Sequence, residues 1–277
     1  MKLFILDMYT LLLKRFGPQG WWPLTPAKKA EREAESRGSN RRTIGPVHHP
    51  LNTTKKLTNR DQTEIMIGAI LTQNTAWTNV ELALANLNRS GLMDFNKIAK
   101  TRHAVLASSI RSAGYFNQKA KRLKLMASYV VGNYDGNLEL LEKKSLPVLR
   151  QELLSLNGIG PETADCMVLY AFGKPSFVVD AYTRRIFERI GIIKSKDTYD
   201  SIQALFHKHL LPNSRSVFLN PNPLSKTVLI FKEYHALIVE LAKRNCRKVP
   251  DCQSCPLRTD CKTGIAKVAE AEVFIYA

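Results

Sequence analysis

The chain has 277 residues, 44% of them hydrophobic, and 41 Lys/Arg against 24 Asp/Glu give it a formal net charge of +17. That length buries a substantial core, as one large domain or two modest lobes, and no apolar run reaches the roughly 20 residues that a bilayer crossing needs. The charge points to a polyanionic partner, with nucleic acid ahead of an acidic membrane surface.

The opening run, MKLFILDMYTLLLKRF, imitates a signal peptide, but Asp7 interrupts it and no small-residue cleavage site follows. It reads as an amphipathic helix packed on the body. Next comes a turn rich in Gly and Pro, Gly17 to Pro23, in which Trp21 and Trp22 sit together. A turn rarely needs two indoles. They either wall a cavity or plug the first helix onto the rest. Residues 24–61 change character: nine Lys/Arg stand against four Asp/Glu, with scattered Ser, Asn, Thr and Pro. The composition predicts a basic, flexible insertion with a short helix around Ala27 to Glu35, either reaching DNA or merely solvated.

From Gln62 a helical period returns, with Ile65, Ile67, Ala69, Ile70 and Leu71 predicting a strongly buried helix. It ends in the polar cluster Thr72-Gln73-Asn74-Thr75-Ala76-Trp77. Thr75 is placed to cap the following helix, which carries Val80, Leu82, Leu84 and Leu87. Gln73 and Asn74 then either point at base edges or satisfy backbone groups at a helix junction, and Trp77 supplies another aromatic wall. Short helices are expected around 95–109. A basic helix from Gln118 to Asn133 follows, whose Lys119, Lys121, Arg122 and Lys124 form a positive face able to steer DNA.

A helix over Leu146–Ser155 feeds the turn Gly158-Ile159-Gly160, and Pro161 suits the first position of the next helix. Such a hairpin presents bare backbone N–H groups at the positive end of a helix dipole, a phosphate grip that reads no sequence. The run Phe177-Val178-Val179 then ends in one carboxylate, Asp180, followed by Arg184 and Arg185. Asp180 either does chemistry beside the phosphate grip or caps the helix Ala181–Ile190. Helices over Thr198–Leu210 and Lys226–Arg244 flank a Pro/Asn-rich loop, 212–223. With no alternating strand pattern, the fold class is all-α.

Cys246, Cys252, Cys255 and Cys261 form C-x5-C-x2-C-x5-C within sixteen residues, while Cys166 stands apart as a small apolar group. This is not the framework of a secreted disulfide protein, so an intracellular, cytoplasmic location is expected. Four thiolates in one loop bind a metal centre, and one tight pair flanked by two single cysteines favours [4Fe–4S] over zinc.

Hairpin, aspartate and cysteine loop, in that order, make the chain resemble the helix-hairpin-helix DNA glycosylases of the endonuclease III superfamily over residues 62–263. Residues 1–23 resemble the N-terminal segment of the branch of 3-methyladenine DNA glycosylases related to endonuclease III. There a tryptophan-rich turn like Trp21-Trp22-Pro23 and a run like LTQNT, here Leu71 to Thr75, line the base pocket. The resemblance implies a two-lobed body over 62–245 with the N-terminal helix and turn, 1–23, as part of it. It further implies an insertion at 24–61, an iron–sulfur loop at 246–263 and a tail at 264–277.

The same resemblance implies a monomeric enzyme that flips damaged bases, N-alkylated purines above all, out of double-stranded DNA. Asp180 would be its catalytic carboxylate, and Trp21, Trp22 and Trp77 its base pocket. Gly158, Ile159, Gly160, Gln73, Lys119 and Arg184 would contact DNA, and the four clustered cysteines would hold [4Fe–4S]. Two departures matter. Glu162 stands where bifunctional members carry a nucleophilic lysine, as it does in the alkylpurine branch. The first cysteine interval is one residue shorter than the family's C-x6-C. The alternatives are a bifunctional glycosylase with lyase activity and a non-catalytic binder of damaged DNA.

Overall fold

The computed structural model describes residues 5–25, 56–211 and 223–267. The core of the basic insertion with its short helix, the Pro/Asn-rich loop and the last residues of the tail lie outside them. All regular elements among the described residues are helical, which bears out the all-α expectation. They are α1 (Ile5–Phe16), α2 (Asn59–Leu71), α3 (Trp77–Arg89), α4 (Phe95–Lys100), α5 (His103–Ser109) and α6 (Phe116–Tyr134). Then follow α7 (Leu138–Glu142), α8 (Leu146–Leu154), α9 (Pro161–Tyr170), α10 (Ala181–Ile190), α11 (Tyr199–Leu210) and α12 (Pro223–Arg244). No described helix is long and apolar enough to cross a membrane.

The chain divides into two compact units. One gathers described residues of Met1–Trp21 and Pro175–Ala277, the other those of Trp22–Lys174. In the first, α1 buries Ile5, Met8 and Leu12, the spacing expected of an amphipathic helix. Tyr234 of α12 donates to the Ile5 carbonyl at 2.9 Å, fixing the start of α1. The extended run Phe177–Val179 has no strand partner. Its backbone is satisfied by side chains of α11 instead: the Phe177 N–H donates to His207 Nε2 (3.0 Å), and Gln203 Nε2 donates to the Phe177 carbonyl (2.7 Å). Phe177 itself stacks on Phe206 at 4.0 Å and meets Phe231 and Tyr234 edge-on. The chain therefore arrives at Asp180 along a buried, hydrogen-bonded path.

In the second unit α2 starts three residues before the apolar period does, because Thr58 and Asp61 form a reciprocal capping box. The first cap of α3 is not Thr75. Ala76 holds that place without a side-chain hydrogen bond. Thr75 Oγ1 donates instead to the Ala113 carbonyl, joining the polar turn to the segment before α6. Helix α7 has no counterpart in the sequence reading. Five residues are too few to show a period, and it stands by its Asn137 cap and by Asn59, whose side chain bridges the Gly136 carbonyl and the Leu138 N–H.

Candidate active site

The hairpin lies in the second unit, between α8 and α9, and its ends are locked together. Arg150 of α8 grips Asp165 of α9 through two bonds, Nε to Oδ1 at 2.8 Å and Nη2 to Oδ2 at 3.1 Å, with the Asp165 side chain fully buried. Gly158 turns the chain at φ +88°, a conformation in which glycine carries no steric penalty. The Arg122 side chain lies across it, so a Cβ there would stand 2.5 Å from Nε. Ile159 is buried as the hairpin's anchor. Gly160 is the N-cap of α9, and a glycine cap supplies no acceptor, so the first-turn amides stay available to an outside anion. Glu162 sits in that first turn, exposed.

Gln73 is tied to this hairpin. Its Nε2 donates to the Gly158 carbonyl (3.1 Å) and to Thr163 Oγ1 (2.9 Å), and its Oε1 accepts from Arg122. Lys119 corrects the reading of α6 as a uniform positive face. It is 1% exposed, and its ammonium donates to the Leu71 carbonyl, Thr75 Oγ1 and the Ala113 carbonyl at 2.7, 2.6 and 2.8 Å. Burial, with Arg122 nearby, pulls its pKa down to about 8. Lys124 likewise turns inward, onto the carbonyls of Ala99 and Thr101 at the end of α4. Of the four cations, Lys121 is the exposed one. Lys119→Met should therefore cost ~2–4 kcal/mol of stability, since three buried oxygens lose a charged donor. The salt slope of DNA binding should not change. A shallower slope at unchanged melting temperature would return Lys119 to the phosphate contacts.

Of the three tryptophans, Trp22 and Trp77 belong to this unit and meet edge-on, ring centroids 5.3 Å apart. Tyr170, at the end of α9, completes the group at 5.5 Å from Trp22. Trp77 Nε1 donates to Glu81 Oε1 at 2.7 Å. Trp21 falls in the other unit.

In the first unit Asp180 is 9% exposed and serves as the N-cap of α10. Its Oδ1 accepts from the N–H and Oγ1 of Thr183, at 2.7 and 2.8 Å. Its Oδ2 faces His235 Nε2 of α12 at 3.6 Å. Burial alone would raise this carboxyl. The facing imidazole and the two Thr183 donors outweigh it and hold the group below the ordinary carboxylate range. Capping thus occupies one oxygen and leaves the second to the imidazole. His235 was not picked out in the sequence, where it is one position on an amphipathic helix 55 residues downstream. Arg184 donates to the Asp197 carbonyl at 2.9 Å.

The same helix α10 holds the cysteine loop. Arg185 donates to the Cys246 carbonyl at 2.9 Å, and Arg189 donates to Cys246 Sγ (3.3 Å) and to the carbonyls of Arg247 (2.7 Å) and Lys248 (2.9 Å). Cys261 Sγ donates to the Arg189 carbonyl at 3.3 Å. Burial, and then repulsion from Cys246, Cys261 and Cys252, push the Cys255 thiol up to about 11, and Cys252 moves in the same direction. A bound cation relieves that repulsion. Four soft sulfur donors within sixteen residues of one loop suit iron or zinc. Among the described residues, no three His, Cys, Asp or Glu side chains close into a metal-holding group.

A model of the HhH-GPD superfamily of base excision DNA repair proteins matches residues 67–212. A protein of Methanocaldococcus jannaschii, named provisionally as a DNA repair glycosylase, is 41% identical over 93% of this chain and 95% of its own length. Endonuclease III of Thermotoga maritima is 27% identical over 73% of this chain and 83% of its own. Among solved structures, the 3-methyladenine DNA glycosylase of H. pylori bound to 1,N6-ethenoadenine superposes with a TM-score of 0.58. It is 30% identical, over 70% of this chain and 93% of that one. An endonuclease III–DNA complex gives a TM-score of 0.61 at 19% identity, over 88% and 99%, a likeness of fold.

Proposed function

Because the chain belongs to the HhH-GPD superfamily of base excision DNA repair proteins, and is a DNA glycosylase of that superfamily, we propose that it is a monofunctional N-glycosylase for damaged, N-alkylated purines. One observation carries the assignment of its chemistry. Asp180 is buried yet held ionised, with one oxygen fixed by Thr183 and the other turned to His235. As the bond between purine and sugar breaks, positive charge develops on the sugar. A fixed carboxylate stabilises that charge without reorganising, or orients a water against C1′.

An N-alkylated purine carries a formal positive charge, so it is a good leaving group and stacks favourably on electron-rich indoles. Trp22 and Trp77 supply such faces. The amides of Gly158, Gly160 and the first turn of α9 hold backbone phosphate while the base is extruded. Ile159, whose N–H is turned to the Leu156 carbonyl at 3.0 Å, shapes the hairpin, and Gln73 and Arg184 are assigned to further DNA contacts. Glu162 has no amine to condense with the sugar aldehyde, so strand cleavage is not part of the reaction. The partner is double-stranded DNA carrying such lesions, bound by a monomer. Duplex DNA methylated on all its bases, incubated with the protein, should yield free methylpurines identified by mass. Tight binding with no released base would leave the non-catalytic reading in place.

Cys246, Cys252, Cys255 and Cys261 are assigned to a [4Fe–4S] cluster whose role is structural, shaping a basic loop suited to phosphate. Protein purified without oxygen should be brown and contain about four irons per chain. A colourless protein with a single zinc would replace the cluster and leave the glycosylase reading intact.

A further inference from the structure

Three residues of α2, Arg60, Glu64 and Gly68, are spaced four apart and line one stripe of the helix. The segment Trp22–Thr25 docks along this stripe. Glu64 Oε1 accepts from both the N–H and Oγ1 of Thr25 at 2.7 Å, and Arg60 Nη1 donates to the Thr25 carbonyl at 3.0 Å. Thr25 is thus held at donor and acceptor alike. Three residues earlier the indole of Trp22 lies directly over Gly68. A Cβ there would stand 2.6 Å from Cζ2, closer than side-chain carbons approach, and a tight 3.3 Å from Cε2.

The indole has little room to withdraw. Trp77 meets it at 5.3 Å, Tyr170 at 5.5 Å, and the chain behind it is pinned at Thr25. Gly68 is also in the middle of a buried helix, where glycine costs ~0.5–1 kcal/mol against alanine. No positive φ calls for it there, since Gly68 is not among the left-handed glycines. Close approach of the indole is a demand that glycine meets and a Cβ would not.

We propose that Gly68 is a positioning residue for base recognition: its missing side chain sets the depth at which Trp22 stands, and so the plane against which an extruded purine stacks. This rests on the assignment of Trp22 to the base pocket. A displacement of about 1 Å at a stacking face is enough to cost a large factor in rate when the reacting geometry depends on it.

The test uses full-length Gly68→Ala, Trp22→Phe, Trp22→Ala and the double variant Gly68→Ala/Trp22→Phe. The measurements are methylpurine release from methylated duplex DNA, affinity for abasic-site duplex, and melting temperature. Gly68→Ala should lower release about tenfold or more and leave abasic-site affinity within about twofold, because the hairpin that grips phosphate is untouched. Trp22→Phe shortens the ring system that the new methyl would strike. The double variant should therefore release base as well as Trp22→Phe alone, a non-additive result. If Gly68→Ala fails to fold, Trp22→Phe should restore folding, and failure to do so overturns the proposal. Release by Gly68→Ala within twofold of wild type, or strictly additive losses, overturns it too, provided Trp22→Ala itself loses activity. A fully active Trp22→Ala would instead remove Trp22 from the base pocket, the reading beneath the proposal.

Discussion

Replacing Asp180 by asparagine should lower base excision by about two or more orders of magnitude, the ~3 kcal/mol that one preorganised charge is worth in such a site. Asparagine is nearly isosteric and is as good an N-cap as aspartate, so its Oδ1 can still accept from Thr183 and α10 keeps its start. The variant removes charge and little else. Affinity for abasic-site DNA should stay close to wild type, and the melting temperature should fall only by the share of stability that the ionised carboxylate holds over a neutral group. Asp180→Ala should lose the same activity and, in addition, about 1 kcal/mol of stability with the cap. The pH dependence has a definite sign. Because the carboxyl is held below its ordinary range, the ionised form persists through neutral and mildly acidic solution. Its contribution to stability is complete above the unfolded carboxylate pKa and is lost as pH falls through the depressed folded value. Excision by the asparagine variant at wild-type rate would remove Asp180 from the chemistry and restore the reading in which it only caps a helix.

The features legible in the sequence were those whose chemistry is local. A glycine hairpin followed by proline, an aspartate immediately before a helix and four cysteines within sixteen residues announce themselves by spacing alone, because neighbours in the chain do the work. Helix bounds were legible where one capping side chain stands next to the helix, as Asp180 does before α10, and failed where the capping side chains were not read as such. The Thr58–Asp61 box starts α2 early, and the turn before α3 spends Thr75 on the Ala113 carbonyl.

What was illegible depends on partners far away in sequence. Lys119 reads as one more cation on a basic helix until the main-chain oxygens of Leu71 and Ala113 surround it. His235 has meaning only opposite Asp180, and Gly68 only beneath Trp22. A glycine in mid-helix is the one of these three that carried a visible signal, since it sits inside a buried apolar helical run without a turn to justify it.

On abasic DNA, borohydride should fail to trap the unmodified protein. Trapping needs an amine that adds to the C1′ aldehyde of the ring-opened abasic sugar and loses water, giving an imine that hydride then reduces to a permanent amine adduct. The position that supplies this amine in bifunctional members holds Glu162, exposed in the first turn of α9, where a carboxylate suits the helix dipole and has no nitrogen to offer. Excision should therefore leave an intact strand with an abasic site, cut only when alkali is added. The result that would overturn this is strong crosslinking that disappears when a single lysine is changed. Lys232 is the residue to change first. It is half-buried on α12, one turn before His235, and burial pulls its pKa down to about 8, so a useful share is neutral amine near physiological pH. Lys119 has a similar pKa, but its ammonium is enclosed by three oxygens and has no surface to present. Crosslinking lost in Lys232→Met would make the enzyme bifunctional, with its nucleophile on the helix that carries His235 and not in the hairpin.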